Sequence, residues 1–216
     1  MQKGCEDASL EGICRDLNLS ISKVGKQKLD DFSHEGNHQG VVLHIRPAPP
    51  GNERDLKAFC EDLPNNPLFL VLDGIQDPHN LGACLRSAAA FNCTGVIWAK
   101  DKQAQITPVV RKVACGAVDT LTLFTVTNLG RALQLLQQSG VWVVGTVLDP
   151  QSKPLGTIDL KGPIALVMGG EEEGLRHSTQ KMCDFSAYIP ISGSMQSLNV
   201  SVATGVSLYE VQRQRK

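Results

Sequence analysis

The sequence predicts an α/β protein, a mostly parallel sheet flanked by helices, over residues 67–216. Three observations carry that prediction. From residue 68 onward, short apolar runs alternate with stretches of helical period, the rhythm of successive β-α units. The runs are continuous rather than alternating, as in Phe69, Leu70, Val71 and Leu72, which marks strands covered on both faces. Aromatic residues make up only 5% of a chain that is 42% hydrophobic, so the core is aliphatic, as suits a sheet under helices.

The elements follow in chain order. Residues 1–46 combine a helical pattern (Leu10, Ile13, Cys14, Leu17), a polar Ser/Lys stretch and a short strand at 41–45. Pro47, Pro49, Pro50, Pro64 and Pro67 bracket a short helix at 53–61, so residues 47–66 read as a linker into the main domain. Strands are then expected at 69–73, 95–99, 121–126, 141–144, 164–168 and 187–191, with helices at 81–91, 108–115, 129–138 and 198–213.

Composition narrows the classes of function. No apolar run approaches the roughly 20 residues that a membrane helix needs, and the first residues lack a secretion signal, so a soluble cytoplasmic protein is expected. The chain has 7 cysteines but no C-x-x-C pair, which points to reduced thiols, no disulfide framework and no metal site. Cys84 and Cys115 read as small buried hydrophobes. With 21 basic and 22 acidic residues the chain is no bulk nucleic-acid coat, and RNA binding would rest on local patches. Candidates are Lys100 with Lys102, Arg111 with Lys112, and the tail Arg213, Arg215 and Lys216.

Three polar, glycine-bearing segments stand where strands end. They are DPHNLGACLRSA at 77–88, ALVMGGEEEGL at 165–175 and IPISGSMQSLNVSVATG at 189–205. In the first, Asn80 is placed to cap a helix, and Arg86 lies one turn beyond Gly82, free to reach back across it toward the N–H groups of the helix start. An ordinary capped helix with a surface arginine would look the same. In the second, Gly169 and Gly170 allow close backbone approach, and Glu171, Glu172 and Glu173 suit a helix N-terminus. A solvated acidic helix start explains the glutamates without any site. In the third, Asn199 and Ser201 are poor helix-interior residues set among Val200, Val202, Ala203 and Val206, so they are expected to meet another polar element. Neither G-x-G-x-x-G nor a P-loop is present, and no G-x-S-x-G elbow supports a hydrolase.

Taken together, the segments resemble the three signature motifs of the SpoU/TrmH (SPOUT) family of RNA ribose 2′-O-methyltransferases. The matching residues are Asn80 and Arg86, then Gly169, Glu171, Gly174 and Leu175, then Ser197, Leu198, Asn199, Ser201 and Ala203. The likeness runs from about residue 68 to 213, and HQGVV at 38–42 with KVACGA at 112–117 extends it toward members that methylate a guanosine of 23S ribosomal RNA.

The resemblance implies a C-terminal trefoil knot, an exception to the un-knotted rule, preceded at 1–46 by the later part of a small L30e-like α/β RNA-binding domain. It implies S-adenosyl-L-methionine as cofactor, held near Thr146, Leu148, Gly169, Ile189 and Leu198. It also implies a homodimer, no metal, and a site formed by Arg86, Asn80, Glu171, Ser197 and Asn199. A guanidinium stays protonated, so Arg86 is assigned to stabilising the developing alkoxide or clamping the adjacent phosphate rather than to acting as a base. Two readings stand beside this one: a transfer-RNA methyltransferase of the same family, and a non-catalytic RNA-binding module.

Overall fold

β1 (Leu68–Asp73) is buried along its whole length, and its alternating side chains feed two separate cores. Leu68, Leu70 and Leu72 join Leu81 and Leu85 of α4 (Pro78–Ala90), Val110 of α5 (Pro108–Ala114), and Leu208 and Val211 of α9 (Val200–Arg215). Phe69 and Val71 point the other way, onto Leu56 of α3 (Glu53–Phe59) and Leu129, Leu133 and Leu136 of α7 (Leu129–Gln138). A strand covered on both faces has no polar side, which is why its sequence is an unbroken apolar run. The helices carry the complementary pattern: α7 buries Leu129, Ala132, Leu133 and Leu136, a single stripe of helical period.

The computed structural model describes the chain except Cys5, Glu6, His34, Glu35, Ile45, Arg46, Pro47, Lys102, Glu171, Glu172, Glu173, Met195 and Gln196. It divides into two compact units, Met1–Ala48 and Pro49–Lys216. Among the described residues no helix is long and apolar enough to cross a membrane.

The second unit holds a seven-stranded sheet in the order β3-β2-β1-β6-β4-β7-β5, with every neighbouring pair parallel. The strands beside β1 are β2 (Gly95–Ala99), β3 (Leu123–Val126), β4 (Trp142–Thr146), β5 (Lys153–Pro154), β6 (Ile164–Gly169) and β7 (Phe185–Tyr188). The chain steps outward from β1 to β3, crosses to β4 and β5, then returns to insert β6 between β1 and β4, and β7 between β4 and β5. Register sets Asp73 opposite Gly169 and Thr146 opposite Ala187, so the carboxyl ends of these four strands gather at one edge. In a parallel sheet that edge is where ligands bind.

Side chains that start helices are used as the sequence suggests, with one exchange of roles. Asn52, Asp77, Thr107, Asn128 and Asn199 each accept a backbone N–H at a helix N-terminus. Asp77, not Asn80, therefore caps α4, because Pro78 takes the first helical position and leaves Asn80 inside the first turn. The strand expected at 187–191 lies at Phe185–Tyr188, since its pairing partners Val144 and Thr146 end there. Two one-turn helices, α6 (Ala117–Thr120) and α8 (His177–Gln180), and the two-residue β5 are too short to show a period in sequence. Ahead of β1, Gly51 pairs with the edge strand β3, and Phe59 packs on Phe69 and Phe124.

In the first unit, Asp7 caps α1 (Ala8–Asp16), and Leu29 of α2 (Lys26–Phe32) is buried. His38 Nδ1 accepts the Gly40 N–H at 2.9 Å, which leaves Nε2 to donate to Asp30 at 2.9 Å. The apolar stripe of α1 buries nothing, and Ile13 and Leu17 remain 52% and 63% exposed. Residues 41–44 form no strand, and Ile45 lies outside the described residues.

The C-terminal tail is structural rather than a free cationic patch. Arg215 donates to the carbonyls of Asn66, Pro67, Leu160 and Gly162 at 2.6–3.3 Å, tying α9 to the amino ends of β1 and β6. Arg213 pairs with Glu210 instead. Arg215→Ala should therefore lower stability by roughly 2–3 kcal/mol, because charged donors to several carbonyls are lost at once. Arg215→Lys should recover only part of this, lacking the planar fork. Urea unfolding midpoints of the three proteins check the order.

Candidate active site

The three polar segments meet at the carboxyl edge of the sheet. Asp77 starts α4 there, the glycine turn leaves β6 there, and α9 begins there behind its Asn199 cap. The first and third segments are joined directly. Asn199 Nδ2 donates to Asn80 Oδ1 at 3.0 Å, while Asn199 Oδ1 accepts the Ser201 N–H at 2.9 Å and the Ser201 hydroxyl at 2.6 Å. The expectation that Asn199 meets another polar element is thus met by α4, whereas Ser201 bonds to Asn199 at the start of its own helix. Deeper along the same contact, Cys84 and Thr204 lie 3.4 Å apart.

The second segment is joined to the first through β1. Gly170 N–H donates to Asp73 O at 2.8 Å, and the Gly174 N–H returns to Gly170 O at 3.1 Å, closing the turn on itself. A Cβ on Gly169 would lie 2.2 Å from Gly174 C, and one on Gly170 would lie 2.4 Å from Gly74 O. Both glycines are required by close backbone approach. Asp73 has 0% exposed surface; its Oδ2 accepts the Arg176 N–H at 3.1 Å. The Arg176 guanidinium stands 3.5 Å from Oδ1, within ion-pair range but without hydrogen-bond geometry, so Oδ1 has no hydrogen-bond donor among the described residues. Gly74, at φ +82, donates its N–H to Gln103 Oε1 at 3.1 Å.

The remaining candidates fall around the same edge. Thr146 ends β4 with its hydroxyl on Val167 O at 3.0 Å, Gly169 ends β6, and Ile189 follows β7. Leu148, Ser197 and Leu198 are exposed. Arg86 is exposed on α4 and makes no hydrogen bond or ion pair with another described residue. Glu171 lies outside the described residues, as does the helix start read at 171–173.

Several readings are corrected. Gly82 is not a gap for Arg86: its Cβ would meet Val113 at 2.7 Å and the Val110 carbonyl at 2.9 Å, so it lets α4 and α5 close together. Cys115 is exposed at φ 50 rather than buried, because it ends α5 in a left-handed turn. Arg111 pairs with Asp119 at 2.7 Å, leaving Lys112 and Lys100 as exposed cations, and Lys102 lies outside the described residues. Asp73, Gly74, Gln103 and Arg176 were not singled out from sequence. The one signal was a charge closing a fully apolar strand.

Burial leaves two thiols poorly suited to nucleophilic chemistry. Burial, then the charges of Asp184 and Asp73, push Cys183 up to about 12. Burial likewise pushes Cys93 up to about 12. Among the described residues no group of three or more His, Cys, Asp or Glu is gathered as a metal would need.

Comparison with known proteins places this geometry. The profile of the SpoU rRNA Methylase family matches residues 67–209, and that of RNA 2'-O ribose methyltransferase substrate binding matches residues 1–51. The chain is 47% identical, over 94% of its length and 82% of the relative's, to 23S rRNA (guanosine-2'-O-)-methyltransferase RlmB of Photobacterium profundum. It is 48% identical to the protein of that name from Haemophilus influenzae, over 99% of this chain and 87% of the relative. The AdoMet-bound rRNA methyltransferase of Sinorhizobium meliloti superposes with a TM-score of 0.79 at 26% identity, covering 95% of this chain and 76% of that one. The A. aeolicus TrmH/SpoU tRNA modifying enzyme gives 0.65 at 30% identity, covering 76% and 83%.

The raised thiols fix a pH dependence. Cys93 and Cys183 keep their protons in the folded protein up to about 12, against an ordinary value of 9.0. The stability they contribute is fully present below pH 9 and is lost as pH rises through the window from 9 to 12, because the unfolded chain gives up its thiol protons first. Urea midpoints should fall across that window, and less steeply in Cys183→Ala.

Proposed function

The chain belongs to the SpoU rRNA methylase family, and from that membership we propose that it transfers a methyl group from S-adenosyl-L-methionine to the ribose 2′-hydroxyl of a guanosine in 23S ribosomal RNA. The single observation that carries the site is the Asn199–Asn80 hydrogen bond, which brings the first and third signature segments to one edge of the sheet.

The residues at that edge fit the cofactor. Gly169 and Thr146 end two adjacent strands and Ile189 follows the third, so their backbones lie at one edge. Leu148 and Leu198 offer exposed aliphatic surface beside them. These five residues would hold S-adenosyl-L-methionine, within the trefoil knot that the family resemblance implies. When bound, it supplies a methyl group activated on a sulfonium.

The chain's own residues do the rest by placement and charge. Arg86 presents its N–H donors to the RNA, where it stabilises negative charge growing on the 2′-oxygen or clamps the neighbouring phosphate. Asn80 is held by Asn199 with its carbonyl oxygen engaged, so its amide NH2 is turned the opposite way. Ser197 and Asn199 shape the start of α9, and Glu171 borders the glycine turn. Residues 1–51, which match the substrate-binding profile, hold the RNA, and the L30e-like reading of residues 1–46 fits that role. The setting is the cytoplasm, where ribosomal RNA is assembled. Identity near 47% to relatives named for 23S RNA favours that substrate over transfer RNA.

The protein works as a homodimer in this reading. α9 exposes Val202, Val206 and Tyr209 at successive turns of one face, with Leu198 just ahead of them. An aliphatic and aromatic stripe of this kind is suited to a second copy of itself, and it begins beside Asn199.

Two measurements test the proposal. Arg86→Ala should lose more than about 100-fold of tritiated-methyl transfer to 23S fragments, the scale of one transition-state donor, with cofactor affinity within a few-fold. Near wild-type transfer would remove Arg86 from the mechanism, and transfer to tRNA alone would reassign the substrate. Val202→Asp with Val206→Asp should shift the protein to monomer in sedimentation, and an unchanged mass would place the interface elsewhere.

A further inference from the structure

We infer that Asp73 and Arg176 are positioning residues for methyl transfer, acting together as a staple that holds the two ends of the glycine turn after β6, at Gly170 and Arg176. The inference rests on the methyltransferase reading above and adds to it two residues outside the signature segments.

Asp73 engages the turn at both ends. Its backbone carbonyl accepts the Gly170 N–H at 2.8 Å where the turn departs, and its carboxylate accepts the Arg176 N–H at 3.1 Å where the turn has returned. Between those points Gly174 closes on Gly169 and Gly170, so both described ends of the turn are pinned to a central strand. On its other side the same strand end is held by Gly74 N–H on Gln103 Oε1 at 3.1 Å.

The choice of a carboxylate is the informative part. A strand end needing one acceptor is served by a neutral side chain, and a carboxylate with 0% exposure carries a heavy desolvation cost. Here the charge has a use, because it draws the Arg176 guanidinium to 3.5 Å and adds an ionic hold beside the backbone bond. That guanidinium is 35% exposed, so the pair runs from the buried strand end to the rim of the candidate site. The main chain at Gly169, Gly170 and Arg176 is then fixed before any ligand arrives, which is the preorganisation that tight cofactor binding requires.

The experiment is calorimetric titration of S-adenosyl-L-methionine into the full-length wild type and three variants, with melting curves and 23S fragment binding alongside. Asp73→Asn keeps the shape and one acceptor but loses the charge. It should weaken cofactor binding about tenfold and raise the cofactor KM more than it lowers kcat, with RNA affinity unchanged within twofold. Arg176→Gln keeps the backbone N–H bond yet strands a buried charge, so it should weaken binding further. Asp73→Asn combined with Arg176→Gln should bind no worse than the poorer single variant, since one interaction is lost only once. If Arg176→Gln fails to fold, Arg176→Lys should bind within about threefold of wild type. Cofactor affinity unchanged in Asp73→Asn despite a lowered melting point would show a purely structural role and overturn the inference. Fully additive losses in the double variant would overturn it as well. A wild type that binds no S-adenosyl-L-methionine would instead sink the methyltransferase reading and carry this inference with it.

Discussion

The working end of this protein depends on how closely two strand ends approach. β1 and β6 run parallel in register to Asp73 and Gly169, and beyond them the backbone of Gly170 packs onto the Gly74 carbonyl at a distance no Cβ would permit. Close packing of main chain on main chain leaves little freedom for the loops that follow. The first segment starts a few residues after Gly74, and the second is the turn that begins at Gly169. A shift of either strand end would move both.

α9 supplies the opposite constraint. Its first residue is reached through Asn199, which caps the helix and bonds Asn80, while Arg215 near its last turn gathers four carbonyls at the amino ends of β1 and β6. The helix is thus pinned at both edges of the sheet, and Leu208 and Val211 bury its middle. Its exposed apolar stripe is what remains once those duties are met. The same helix carries both the third signature segment and this stripe.

Charges around the site have divided tasks. Arg86 stands exposed with no partner among the described residues, whereas Arg111, Arg176, Arg213 and Arg215 are each engaged within the fold. A near-neutral chain offers an anionic substrate no strong overall basic field.

Much of the fold was legible because the sheet is covered on both faces, a condition that writes itself as unbroken apolar runs between helical stripes, as at Leu68–Asp73 and Leu129–Gln138. The polar segments were legible too, since Asn, Ser and paired Gly at strand ends are not residues that an aliphatic core calls for. Sequence misplaced the cap of α4, because Pro78 takes the first helical position, and missed the purpose of Gly82 and the use of Arg215, whose partners, Val113 and the carbonyls of Asn66 and Gly162, lie far along the chain. By itself the sequence determined which segments of the sheet are buried and where most of its strands lie. Only the tertiary structure decided the strand order that inserts β6 beside β1, and with it the meeting of Asp73 with Arg176. Local pattern records whether a side chain faces water, but not which distant backbone it faces instead.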